Sequence, residues 1–153
     1  MILSRSADYG MRAMVYLASH DGPDYVPLHD ITGAMRTPPF LLAHILQRLV
    51  KGGLVASMKG HHGGFRLQRT PREITAGQIV ELIDGPVRAF DCSGNVDCGL
   101  AGDCSLLELF GRVETAVQQT LHSTSLDEIA RPYTVQAREA ANVQFRSRTG
   151  GGM

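Results

Sequence analysis

LVASMKGHHGGFRLQR, Leu54–Arg69, is the stretch that decides the fold. Leu54–Lys59 alternates in the two-residue period of a strand, and Phe65–Arg69 resumes it. Gly60-His61-His62-Gly63-Gly64 lies between them and can only be a turn. The expected product is a two-stranded hairpin whose tip carries Lys59, His61, His62 and Arg66.

The residues before the hairpin read as three helices. Ser4 or Ser6 can cap the first, which runs to about His20 with Asp8 in its first turn; Asp21-Gly22-Pro23 ends it. Asp8 and Arg12 are spaced for an ordinary surface ion pair. The second helix starts near Pro27, with Leu28, Ile31, Thr32 and Met35 on one face. After a break at Arg36-Thr37, Thr37 can cap a third helix with Pro38 in its first turn. Leu42, Ile45, Leu46 and Leu49 form its inward stripe, while Phe40, His44, Gln47, Arg48 and Lys51 face outward.

Two short helices split by a tight break match a helix-turn-helix, and a hairpin directly after one is a wing. The fold class is therefore mainly α with a small β-hairpin: a winged helix-turn-helix. Such a unit binds a duplex. Thr37, Phe40, His44, Gln47 and Arg48 are the expected major-groove residues. Lys59, His61, His62 and Arg66 are expected to hold the wing on the backbone or in the minor groove, where glycines permit close approach.

A further helix opens with the Thr75…Gln78 capping pattern, packs through Ile79, Leu82 and Ile83, and ends at Gly85-Pro86. DCSGNVDCGLAGDC, Asp91–Cys104, follows and contains every cysteine of the chain: Cys92, Cys98 and Cys104, each preceded by an aspartate. The Gly-, Asn- and Ser-rich spacers let three thiolates turn toward one point, and soft sulfur suits iron–sulfur clusters, zinc or cuprous copper. A disulfide staple wants an even cysteine count, and a zinc knob wants tighter pairs and a fourth ligand. A redox-sensing thiol set without metal stays open.

Ser105…Glu108 reads as another capping box, opening a helix to about His122 striped with Leu106, Leu109, Phe110, Val113, Val117 and Leu121. One long apolar stripe outside a compact winged helix is expected to be a dimerisation helix. Gly111 in its middle costs about 1 kcal/mol relative to Ala, which suggests a close backbone crossing. Ser125…Glu128 starts a short helix that Pro132 should stop, and RSRTGGGM should be disordered. The expected division is residues 1–85 winged helix-turn-helix, 86–104 cysteine loop, 105–131 dimerisation helix with its short successor, and 132–153 tail.

The formal net charge of the 153 residues is zero, but it is unevenly spread. Residues 1–72 carry nine Lys and Arg against four Asp and Glu, whereas 73–153 carry six against eleven. A basic front half facing a polyanion is the reading. MILSRSADYG lacks the apolar run of a signal peptide and no stretch approaches a membrane span, so a cytoplasmic, thiol-reducing location without a membrane partner is expected. No nucleotide loop or substrate-pocket motif marks an enzyme or electron carrier.

With these residues in hand, the chain resembles the Rrf-two family of bacterial winged-helix regulators, whose members include the IscR and NsrR types. The resemblance covers residues 1 to about 131. It rests on MILSRSADYGMRAMVYLA, KGGLVAS, GHHGGFRLQR, REITAGQIVELIDGP and the three cysteines. It implies a homodimer on a pseudo-palindromic operator, a repressor rather than an enzyme. It also implies an iron–sulfur cluster, 4Fe-4S in preference to 2Fe-2S, on Cys92, Cys98 and Cys104. IscR-like members add a histidine three residues past the last cysteine, where this chain has Leu107. NsrR-like members add a first-helix aspartate from the partner subunit, and Asp8 matches it. Glu108 is a reserve ligand. The resemblance thus points to a nitric-oxide-sensing, NsrR-like repressor; an iron- or cluster-status sensor and a thiol-based regulator are the alternatives.

Overall fold

The computed structural model describes residues 3–20, 22–88 and 104–133. The cysteine stretch through residue 103, with Cys92 and Cys98, and the tail from 134 onward lie outside the described residues. Helix α1 (Arg5–Ser19) is capped by Ser4, whose hydroxyl accepts the Ala7 N–H at 3.1 Å. Its buried face is Ala7, Gly10, Ala13, Met14 and Leu17, the three- and four-residue stripe of a helix packed on one side.

Helices α2 (Leu28–Met35) and α3 (Pro39–Lys51) are joined at Arg36, where φ is 51°. That left-handed residue folds the chain back so that the Thr37 N–H reaches the Thr32 carbonyl at 3.2 Å. Thr37 does not cap α3, contrary to the expectation. The cap is Pro38, and Thr37 lies 5% exposed with no partner for its hydroxyl among the described residues. The turn at Arg36 carries Thr37 inward before the prolines start the helix. The inward stripe of α3 is the expected one, and Leu42, Leu46 and Leu49 are fully buried. Each contributes about 1.5–3 kcal/mol by leaving water.

Strands β1 (Val55–Met58) and β2 (Gly64–Leu67) pair antiparallel, Val55 opposite Leu67 and Met58 opposite Gly64. They are shorter than the alternation suggested. A third segment joins them: Val26 and Phe65 exchange both N–H···O=C bonds at 2.9 Å. The chain between α1 and α2 is thereby fixed to the hairpin. A side chain at Gly64 would put its Cβ 2.2 Å from the Val26 carbonyl oxygen, so that pairing demands glycine.

Helix α4 (Ala76–Asp84) opens with the full Thr75–Gln78 capping box, at 3.1 and 3.2 Å. Helix α5 (Ser105–Ser123) is capped by Cys104, one residue before the expected Ser105. Its C-terminal end packs on α4, with His122 Nε2 3.0 Å from Glu81 Oε1 and the imidazole seated where a Gly77 side chain would stand. The chain then returns to the core: the Leu126 N–H meets the Ile74 carbonyl at 2.8 Å, and Leu126 is fully buried. Residues 126–133 are helical, so Pro132 lies within the helix it was expected to stop. The N-terminal turns of α5 differ. Leu106, Leu107, Leu109 and Val113 stand 44–53% exposed, and among the described residues nothing lies within 4 Å of a side chain added at Gly111. The close crossing expected at Gly111 is not made by any of the described residues of the subunit. No helix among the described residues is long and apolar enough to cross a membrane.

Gly64→Ala is expected to destabilise the protein by about 1–3 kcal/mol, because backbone cannot yield without losing the Val26–Phe65 pair. Thermal unfolding checks this; an unchanged midpoint would show that the third strand is dispensable.

Candidate nucleic-acid interface and cluster site

One surface of the molecule combines α3, the first turn of α2 and the wing. On α3, Phe40 is 90% exposed, an outlay of apolar surface that a free subunit gains nothing from. His44 and Gln47 are exposed one and two turns further along the same helix. At the wing tip Lys59, His61 and His62 are exposed, and the two imidazoles stack with centroids 5.4 Å apart. A groove of about 480 Å³ separates the wing from α2, and Gln47, Lys59 and His61 line it together with His29. Four of the six histidines therefore sit on this side: His29, His44, His61 and His62.

Three of the residues expected at the duplex also have a place within the subunit. Thr37 is the buried turn residue described above. The Arg48 guanidinium donates to the Ile83 carbonyl, tying the C-terminal part of α3 to the last turn of α4. Arg66 lies 4.9 Å over the Tyr25 ring and donates to the Pro23 carbonyl at 3.3 Å, so it braces the α1–α2 connection. Sequence spacing hides both fastenings because their partners lie 35 and 43 residues away. His29 escaped notice for a similar reason: nothing local marks a histidine at a helix start as a neighbour of a hairpin.

Of the four expected cluster ligands, Cys104 and Asp8 are described. Cys104 is half-buried at the N-terminus of α5 and its side chain makes no capping hydrogen bond. Sulfur at that place is a soft donor of the kind that ligates iron. Asp8 stands on the outer face of α1, where its Oδ1 accepts from Arg12 Nε at 2.9 Å. That hydrogen bond, with the charge behind it, raises the Arg12 pKa. Both side chains are about half exposed, so the pair is weak and the carboxylate is accessible. Glu108 is exposed in the first turn of α5. Among the described residues no three His, Cys, Asp or Glu side chains cluster as a metal site. A half-buried cysteine sulfur at a helix start and an accessible carboxylate are nevertheless a donor set that fits iron.

The clamp at the end of α4 has a second half. Asp84 accepts from both the Ser4 N–H, at 3.0 Å, and the Ser4 hydroxyl, which also caps α1. The start of α1, the end of α3 and the residues leading to the cysteine stretch thus meet at one turn. Arg48→Ala is expected to cost about 1–2 kcal/mol by leaving the Ile83 carbonyl without its charged donor. Thermal melts would show it; a change below about 0.5 kcal/mol would mean the arginine is free for other work.

Comparison with known proteins places this geometry. Residues 3–132 match the family model described as Rrf2, iron-dependent transcriptional regulator. The chain is 33% identical over 138 residues to the HTH-type transcriptional regulator IscR of Photobacterium profundum, covering 89% of this chain and 79% of that protein. It is 31% identical over 149 residues to IscR of Pectobacterium atrosepticum, covering 97% and 88%. Among solved structures it is similar to CymR, the global cysteine regulator of B. subtilis, with TM-score 0.73, 30% identity and coverage of 86% and 97%. T. potens IscR gives TM-score 0.70 at 27% identity, covering 87% and 88%. The exposed third helix, the wing beside it and these matches carry one conclusion: the chain belongs to the Rrf-two (Rrf2) family of DNA-binding transcriptional regulators and is not an enzyme.

Proposed function

We propose that the protein is a homodimeric repressor whose affinity for a pseudo-palindromic operator is set by an iron–sulfur cluster, with nitric oxide as the signal. The cluster would be held by Cys92, Cys98 and Cys104 and by Asp8 of the partner subunit, as 4Fe-4S in preference to 2Fe-2S. The observation that carries this reading is the run of three cysteines ending at the N-terminus of α5, in a family described as iron-dependent. Leu107, where IscR-like members have a histidine, is apolar and 53% exposed, which leaves the fourth position to another ligand. An oxygen ligand on one iron is harder and more readily displaced than thiolate, and so leaves that iron open to a small molecule.

The apolar face of α5 supports the dimer. Leu109 and Val113 line an exposed groove of about 630 Å³ that includes Gly111, and Leu106 is exposed on the same helix. A second α5 laid across it would bury these side chains and explain a glycine with no neighbour among the described residues. Residues 1–85 then form the duplex-binding part, 86–104 the cluster loop, 105–131 the dimerisation part and 132–153 a tail. On the duplex, Phe40, His44 and Gln47 would face base edges in the major groove, and Lys59, His61 and His62 would hold the wing. Thr37, Arg48 and Arg66 enter this reading as residues that hold the reading head in shape.

Two other readings have specific support. The IscR names of the relatives favour a sensor of iron or cluster status, and the likeness to CymR, whose Staphylococcus aureus protein is known in an oxidized form, favours a thiol-based regulator without cluster. Anaerobic reconstitution separates them. The wild type is expected to take up iron and sulfide with visible absorbance, and Asp8→Ala to yield a cluster that is lost several times faster. Unchanged cluster stability in Asp8→Ala would remove Asp8 from the site, and failure of the wild type to bind iron would leave the thiol reading. A cluster whose spectrum and operator binding ignore nitric oxide but follow iron supply would leave the status sensor.

A further inference from the structure

The groove between the wing and α2 has the chemistry of an anion seat. His29 comes to it from the first turn of α2, Gln47 from α3, and Lys59 and His61 from the wing. Lys59 pairs with no carboxylate among the described residues. Pro27, the cap of α2, offers no side chain to the N–H groups that open the helix, and Pro27, Leu28 and His29 bring that end to the groove wall. The nearby acid, Asp30, bonds His29 Nε2 at 3.1 Å and does not line the groove; it orients the imidazole. Gly60 and Gly63 wall the wing side, and a side chain at Gly63 would strike the Met58 carbonyl oxygen at 2.3 Å.

We infer that this groove seats one backbone phosphate of the duplex, and that His29 is a positioning residue for DNA binding. The inference rests on the duplex-binding reading and adds a partner atom and a residue to it. A phosphate there is gripped from α2 and from the wing at once, with α3 between them, so it fixes how deep and at what angle α3 lies. His29 and Lys59 act on one oxygen-bearing group and should not act independently.

The test uses the full chain and a fluorescent duplex recovered by selection with the wild type. His29→Ala is expected to weaken binding about five- to tenfold on selected and unrelated duplexes alike. His29→Gln, which keeps a hydrogen-bond donor, is expected to recover part of the loss. The double variant His29→Ala/Lys59→Ala should lose less than the product of the single losses. A methylphosphonate at one position of the duplex should weaken the wild type and leave His29→Ala indifferent. His29→Ala within twofold of wild type, or losses that multiply, would overturn the inference while leaving duplex binding intact. Wild type that binds no duplex at all would overturn the duplex-binding reading, and this inference with it.

Discussion

The last turn of α4 is the constraint on which the rest of the molecule depends. Ile83 offers its carbonyl to Arg48 of α3 and its side chain to Gly10 of α1, where a Cβ would stand 2.2 Å from Ile83 Cδ1. Asp84, the next residue, holds Ser4 at the start of α1. The charged donor fixes the carbonyl, and the bare Gly10 lets α1 and α4 approach closely. The helix that presents residues to a duplex is therefore not a free arm. It is fixed to the turn from which the chain departs toward its cysteines.

That arrangement gives the proposed regulation a physical path. Asp8 lies one turn from Ser4 on α1, and Cys104 opens α5, whose far end is held to α4 by His122 and Glu81. A ligand set that joined Asp8 of one subunit to the cysteines of another would draw on elements bonded to the turn that carries α3. Two heads of a dimer meet a palindrome only at one spacing, so a small change in their placement is a change in affinity. The wing is equally fixed. Val26 pairs with Phe65, Arg66 stacks on Tyr25, and the hairpin is thus part of the core rather than an appendage.

Much of this was legible from local pattern. The stripe of α3, the hairpin and the Thr75–Gln78 box each depend on residues within one helical turn or one alternation, and the structure has them. What escaped was non-local or one residue wide. A strand made of Val26 alone has no period to detect, and Arg48 and Arg66 look like any surface cations until their distant carbonyls are known. Thr37 looked like a cap because threonine favours that place, but a left-handed Arg36 sent it inside. Cys104 displaced Ser105 as cap of α5 by one residue. Of the candidate cluster site, Cys104 and Asp8 have positions with fitting chemistry, and the union of the four ligands rests on the proposal.

The central claim is that iron bound at the cysteines governs the hold of the winged heads on DNA. Its most direct measurement is the operator affinity of one anaerobic preparation, taken before cluster loading, after it, and again after removal of the cluster. The account predicts a reversible change of at least about tenfold, roughly 1.4 kcal/mol, that tracks the cluster absorbance. Equal affinity in all three states, with the cluster demonstrably present and then absent, would contradict it.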